Sequence, residues 1–128
     1  MSLDEIKNEI SKINSYLKNC LWMDFEICEM SFIKIEVAGR IDRSINDFAI
    51  SIEFSQPYLV SGLLTWGLET SKEFIRLAEP SEFVEVNKRY KIEQGKYLFR
   101  INMENCDEGI YIAASGVKCD IYNENPFD

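Results

Sequence analysis

The spacing of the apolar residues changes near residue 20, and this change limits the possible folds more than any other feature of the chain. In the first segment, apolar residues recur every three or four positions at Leu3, Ile6, Ile10, Ile13 and Leu17. This period predicts an amphipathic helix over residues 3–18. Ser2 and Glu5 have the spacing of a capping box, which marks the amino-terminal end of that helix.

Beyond residue 20 the period is two, which predicts short strands with one buried face. The expected strands cover residues 25–37, 48–55, 58–66, 74–77, 97–103, 110–114 and 117–121. Residues 58–66 have apolar residues at both odd and even positions, so a central strand covered on both faces is expected there. Asp107-Glu108-Gly109 and Ser115-Gly116 have the composition of hairpin turns. Strands joined by such short turns exclude a parallel βαβ fold for most of the chain.

A second helix is predicted over residues 80–91, where Pro80 suits the first helical turn. No repeat or linker divides the 128 residues, so one domain is expected over residues 1–128. The predicted fold class is α+β, with an antiparallel sheet of about seven strands that is curved or sandwich-like. The expected organisation is a helix in 1–20, a first strand group in 21–79, a helix in 80–91, strands in 96–122 and a polar, fraying tail in 123–128.

The chain lacks the residues on which most catalytic sites depend. It contains no histidine, which removes Ser-His-Asp and Cys-His arrangements, imidazole acid–base catalysis and His-ligated metal sites. Its six glycines form no phosphate-binding motif. Residues 102–109 fail the spacing of a calcium loop, because Gly109 falls two places too late. We therefore expect no enzyme activity, no cofactor and no metal site.

The charge distribution points to a basic protein partner. The net charge is −8, and residues 101–128 carry six acids against one base. Such a surface repels nucleic acid and anionic membrane and attracts basic proteins. If the last two hairpins are adjacent, acids and tyrosines gather at one end of the sheet. The candidate partner-binding residues are Glu104, Asp107, Glu108, Tyr111, Asp120 and Tyr122.

The expected location is the cytoplasm. No run approaches the roughly 18 apolar residues of a membrane span, and the amino terminus does not have the pattern of a secretory signal. The four cysteines form no C-x-x-C pair, and Cys119 falls on a predicted buried strand face. Reduced, structural cysteines are expected in such a chain.

A small acidic α+β chain without histidine or catalytic motifs resembles the immunity proteins that accompany bacterial polymorphic and contact-dependent inhibition toxins. The resemblance is one of overall type across the whole chain, and no diagnostic motif carries a residue over. It implies a cytoplasmic inhibitor of one cognate toxin domain. If that toxin is a nuclease, its basic cleft is the surface that an acidic inhibitor would fill.

Two alternatives remain open at the level of sequence. One is a structural or regulatory domain that forms homo-oligomers through its helix or an open sheet edge, and its oligomeric state is unknown. The other is a small-ligand pocket inside a curved sheet, which the abundance of aromatic residues suggests.

Overall fold

The structure is a computed structural model that describes residues 1–127. Its elements in chain order are α1 (Leu3–Lys18), β1 (Asp24–Met30), β2 (Lys34–Arg40), β3 (Ile50–Ser55), β4 (Leu59–Ser61), β5 (Thr65–Gly67), β6 (Ile75–Leu77), α2 (Pro80–Tyr90), β7 (Tyr97–Met103), β8 (Cys106–Ala114) and β9 (Gly116–Ile121). Among these residues, no helix combines the length and the hydropathy that a membrane crossing requires.

The strands form two antiparallel sheets, which confirms the predicted α+β class. Sheet A has the order β5-β1-β2-β3-β9 and sheet B the order β4-β8-β7-β6. The inner faces of both sheets and one face of α1 contribute to a single hydrophobic cluster. Phe25, Phe54 and Phe99 are among its largest fully buried side chains.

The described chain has nine strands where about seven were expected, because two predicted strands are each divided in two. Residues 24–40 form the hairpin β1–β2, and the Ser31 hydroxyl accepts hydrogen bonds from the backbone N–H groups of Ile33 and Lys34 at its turn. Such a serine turn contains none of the Gly, Pro, Asn or Asp residues by which turns are usually recognised in a sequence.

The prediction of a central strand over residues 58–66 is wrong. The chain leaves sheet B after β4 and enters sheet A at β5, and both strands lie at sheet edges. Gly62 makes this crossing with a φ of 147°, and a Cβ atom there would lie 2.6 Å from the Ile110 side chain. Leu63 and Leu64, which were expected to be covered, are 54% and 64% exposed.

Neither of the two hairpin turns predicted near the carboxyl end is found at its predicted position. The β7–β8 turn consists of Glu104 and Asn105, where Asn105 takes the left-handed φ of 58°. Asp107-Glu108-Gly109 belongs to β8. Ser115 is not a hairpin turn, because β8 belongs to sheet B and β9 to sheet A. Its N–H donates to the Ser55 carbonyl at 2.9 Å. The pair β3–β9 of sheet A therefore continues into the pair β4–β8 of sheet B, and both segments change sheet at the same place.

Helix α1 closes the open side between the two sheets. Its predicted bounds and capping box are confirmed, and Ile6, Ile13 and Leu17 are buried. Lys12 donates to the Cys119 carbonyl of β9 at 3.1 Å. Asn14 donates to the Ile75 carbonyl of β6 at 2.8 Å and accepts its N–H at 3.1 Å. The helix therefore satisfies backbone groups on one edge strand of each sheet, which protects those edges from pairing with other chains.

The final segment makes more contacts than its polar composition predicted. Tyr16 donates to the Asn123 carbonyl, and the Phe127 ring packs edge-on against Trp22 with 4.7 Å between centroids. These contacts join the segment to α1 and to the residues that follow it, whereas Asp128 lies outside the described residues. The expected fraying of 123–128 stays a prediction. The prediction that Cys119 is buried is confirmed, at 3% exposure.

Candidate functional site

Three polar side chains lie side by side across the outer face of sheet B. Arg76 is directly opposite Arg100, and Arg100 is directly opposite Tyr111. Their chain neighbours, such as Phe99 and Ile101, point into the core, so the row faces away from it. Like charges at directly opposed positions destabilise a sheet, so the two arginines need a counter-charge.

Glu82 of α2 supplies that counter-charge. Its carboxylate accepts hydrogen bonds from Arg76 at 2.6 Å, from Arg100 at 3.2 Å and from the Tyr111 hydroxyl at 2.5 Å. It also accepts the Glu79 N–H at 2.9 Å, which caps the helix. Burial alone would raise the pKa of Glu82, but these hydrogen bonds outweigh it and lower the pKa to about 2.

Tyr111 is held in its neutral form by the same network. Burial, and then the hydrogen bond to the Glu82 carboxylate, raise its pKa above the usual value. The phenol therefore donates to Glu82 while it accepts from Arg100 at 2.8 Å. Both groups are committed to structural hydrogen bonds, so neither is free to act as a base or nucleophile.

This network fixes α2 at its amino-terminal end, and Tyr58 fixes it at the other end. The Tyr58 hydroxyl lies 3.1 Å from the Tyr90 carbonyl and 2.9 Å from the Lys91 carbonyl. No residue of α2 is itself fully buried. The helix is therefore attached to sheet B mainly by polar contacts at its two ends.

Beside the network, α2 and β8 form the walls of a groove of about 520 Å³. Glu82 and Glu85 line it from the helix and Glu108 from the strand, whereas Arg89 is the one base in the lining. Tyr90 and Tyr111 also line the groove, in addition to Ser61, Gly62, Ser81, Val86 and Gly109. An acid-lined groove with exposed aromatic groups is suited to binding Lys or Arg side chains of another protein.

Four of the six sequence-predicted residues lie at this end of the molecule. Glu108 and Tyr111 line the groove, and Glu104 and Asp107 are exposed on the same β7–β8 hairpin. Arg100 donates to the Asp107 carbonyl as well as to Glu82, so the network also holds the hairpin in place.

The expectation that Asp120 and Tyr122 join this cluster is wrong. Asp120 lies on β9, which is one edge of sheet A, and the Glu104 N–H bonds to Gly67 of β5, which is the other edge. Four strand spacings separate these edges, or about 19 Å. Tyr122 follows β9 and lines a separate cavity with Ile45 and Phe48.

The carboxylates around the groove differ from those on β1, β2 and β3 of sheet A in having no cationic partner. In sheet A, Lys34 forms ion pairs with Glu29, Glu36 and Glu53 at 3.0–3.7 Å. Within residues 1–127, no Lys or Arg nitrogen lies within 4.0 Å of the carboxylates of Glu85, Glu104, Asp107 and Glu108. Four carboxylates without an internal ion pair therefore lie on α2 and the β7–β8 hairpin, although Asp120 and other exposed acids of the described chain have none either.

An exposed apolar surface adjoins the groove. Ser61 and Gly62 line the groove, and the next two residues are exposed leucines. The Leu64 carbonyl accepts the Ile27 N–H at 2.9 Å, which places this segment beside β1 and its turn. We call the exposed residues of both segments the apolar tip, and its members are Met30, Phe32, Ile33, Leu63 and Leu64. Clustered exposed apolar side chains commonly mark interaction surfaces.

Sequence reasoning missed the central members of the site. Arg76 and Arg100 each interrupt an apolar strand, and Glu82 occupies the third position of a helix that begins with proline. Charged residues at outward positions of such strands are the signal that could have identified them. The sequence contains no sign that the three would meet, because 24 positions separate Arg76 from Arg100.

Comparison with protein-family models, with curated proteins and with solved structures finds no match to this chain. Among the described residues, no group of three or more Cys, Asp or Glu side chains is placed to hold a metal ion. Function is therefore argued from the geometry of the surface.

Proposed function

We propose that this chain is a toxin-neutralising immunity protein whose acidic groove docks on a basic surface of a cognate toxin domain. The observation that carries the proposal is the set of unpaired carboxylates around the groove, on the hairpin and α2. Partner Lys and Arg side chains would supply the ion pairs that this protein itself does not provide there.

Electrostatic attraction and apolar contact have separate roles in this proposal. The net charge of −8 speeds the approach of a basic partner, because complementary potentials raise association rates at low salt. The apolar tip then supplies buried contact area, and Phe32, which is 86% exposed, is its most exposed side chain. Aromatic anchors of this kind commonly account for much of the affinity of an interface.

Inhibition would follow from occlusion, without covalent chemistry. The chain has no histidine, and the two titratable groups at the centre of the site, Glu82 and Tyr111, are engaged with arginines. These observations support a binding role over a catalytic one. If the toxin is a nuclease, the carboxylates take the place of the phosphates of its substrate.

Charge reversal on the hairpin tests the proposal. The proposal expects the partner to be the basic carboxyl-terminal domain of a large reading frame upstream of this gene. If such a domain is encoded there, its association is measured by stopped flow at low and high salt. Replacing Glu104, Asp107 and Glu108 by Lys should slow association about tenfold or more at low salt and flatten its salt dependence. The matched control replaces Asp47, Asp120 and Glu124 by Lys, three exposed acids outside the groove that form no ion pair among the described residues. Equal rates for the hairpin variant and the control would refute the assignment of this surface.

The apolar tip also favours a second candidate function, which is homo-oligomerisation. The route through α1 is less favoured, because Ile10 packs against the core of its own chain. Sedimentation velocity over a range of concentrations separates the two functions. A dimer that Phe32→Ser dissociates supports homo-oligomerisation, and a monomer at all concentrations supports the immunity function.

A further inference from the structure

A second and larger groove, of about 680 Å³, lies between α1 and the segment 68–77. It is on the side of the molecule that α1 closes, and it shares no lining residue with the acidic groove. Its volume is within the range of sites that bind small organic ligands.

One stripe of α1 forms a wall of this groove. Lys7, Ser11 and Lys18 line it, and their spacing of four and seven positions keeps them on one face of the helix. Eleven residues of helix span about 16 Å, so the two lysines lie at the two ends of an elongated groove. Lys12 is directed elsewhere, because it bonds to the Cys119 carbonyl of β9.

The floor of the groove is apolar. Leu17, Leu68 and Phe74 contribute buried side chains, and Ile10 and Leu77 contribute half-buried ones. Ile10 and Leu77 supply the accessible part of this floor, and a hydrocarbon or aromatic body that contacts them removes apolar surface from water.

The rim carries a small net positive charge, although the whole chain is acidic: Arg76 is paired with Glu82, and three lysines then face two acids. Among residues 1–127, no carboxylate oxygen lies within 4.0 Å of the ammonium groups of Lys7, Lys18 and Lys72. The two acids of the rim keep their charge and are hydrogen-bonded to neutral groups. Glu69 accepts the Ser71 N–H and hydroxyl at 2.9 and 2.7 Å, and Glu73 lies 3.5 Å from the Asn14 amide.

An extended peptide does not fit this groove well. The edge strand β6 would have to pair with it, but Asn14 already bonds to both the N–H and the carbonyl of Ile75. Addition of a strand depends on such free backbone groups. The occupant that the lining favours therefore needs few backbone partners.

From the apolar floor and the three free lysines we infer that this groove binds an amphipathic anion with one carboxylate or phosphate head and a hydrocarbon body. The head pairs with a lysine at one end, and the body lies along α1 over Ile10 and Leu77. A fatty acid and a single-chain lipid phosphate share this chemistry. The inference is independent of the proposed function, because it concerns a different surface and a ligand of opposite charge.

Isothermal titration and backbone amide NMR test the inference with probes used below their micelle concentrations. Dodecanoate and dodecyl phosphate should bind, with shift changes confined to residues 7–18 and 68–77. The affinity for dodecylamine should be at least about tenfold lower, since the lysines repel its ammonium group. Acetate should not bind, because it lacks the apolar body. Equal binding of dodecanoate and dodecylamine, shift changes elsewhere, or no binding of either anion would overturn the inference.

Variants show whether the lysines are responsible for the binding of the anion. Replacing Lys7, Lys18 and Lys72 by Gln should weaken dodecanoate binding about tenfold while the unfolding free energy stays nearly constant, because all three are exposed. The matched control replaces Lys88, Lys91 and Lys118, which are exposed and outside the groove. Equal losses in the two triple variants would show a general charge effect and refute the site.

Vesicles of phosphatidylglycerol distinguish a monomeric ligand from a membrane lipid. Binding of dodecyl phosphate without co-sedimentation with vesicles identifies a site for monomeric amphiphiles, as inferred. Tight vesicle binding without binding of either monomer would identify a membrane contact instead and would overturn the inference.

Discussion

Arg76 and Arg100 are directly opposite each other on neighbouring strands, and one carboxylate, that of Glu82, forms ion pairs with both. This arrangement joins α2 to sheet B through charge, in a helix that has no fully buried residue of its own. The acidic groove and its hairpin depend on it, because Arg100 also bonds to the Asp107 carbonyl.

Removing the Glu82 charge should destabilise the fold. We expect Glu82→Gln to lower the unfolding free energy by about 2 kcal/mol, because two adjacent and half-buried arginines lose their counter-charge. Glu85→Gln, on the exposed side of the same helix, should change it by less than about 0.5 kcal/mol. Urea denaturation of the three proteins measures both effects, and similar values for the two variants would contradict the role assigned to Glu82.

The same carboxylate should make stability depend on pH in the acid range. Its pKa is about 2 in the folded chain against 4.5 for the ordinary group, so its contribution is complete above pH 4.5 and is lost as the pH falls toward 2. Between these values the unfolded state alone binds the proton, and stability should fall by about 1.4 kcal/mol per pH unit from this group.

The difference in unfolding free energy between the wild type and Glu82→Gln isolates that contribution. We expect this difference to be constant from pH 5 to 7 and to shrink from pH 4.5 downward, as measured by urea denaturation at each pH. A difference that stays constant down to pH 3 would show that the pKa of Glu82 is not depressed.

Two glycines with positive φ should respond differently to alanine. Gly95, at φ 90°, has no heavy atom within 4 Å of an added Cβ, so Gly95→Ala should cost only the backbone strain, about 1 kcal/mol. Gly109, at φ 67°, would place its Cβ 2.7 Å from the Ile101 carbonyl oxygen, so Gly109→Ala should cost about 3 kcal/mol. Thermal or urea unfolding provides the comparison, and equal costs would mean that β8 shifts freely opposite Ile101–Met103, where its pairing with β7 is irregular.

Asn14 should stabilise β6, which is an edge strand of sheet B. We expect Asn14→Ala to lower the unfolding free energy by about 2 kcal/mol, because the Ile75 N–H and carbonyl both lose their partner. Hydrogen exchange at the Ile75 amide should become faster. Asn8→Ala, at an exposed position of the same helix, is the control and should leave that amide protected. Unchanged protection in Asn14→Ala would show that the edge is closed by other contacts.

The features that the sequence predicted correctly depend on local energies. The bounds of α1 follow from a period of 3.6 and a capping box, and both are properties of residues within a few positions of one another. The alternation in β3 and β9 also identified their buried faces, including Cys119. The turns were located less well, because the Ser31 turn contains no Gly, Pro, Asn or Asp, and the left-handed residue of the β7–β8 turn is Asn105 and not one of Asp107-Glu108-Gly109.

The sequence by itself determined the fold class, the first helix and the presence of an acidic carboxyl-terminal segment. Only the tertiary structure decided that Asp120 lies apart from Glu108, and that Glu82 joins Arg76 to Arg100. The reason is that hydrophobic period and capping act over one or two turns of chain. The neighbours of a side chain across a sheet instead depend on which strands pair, and on where the chain passes from one sheet to the other.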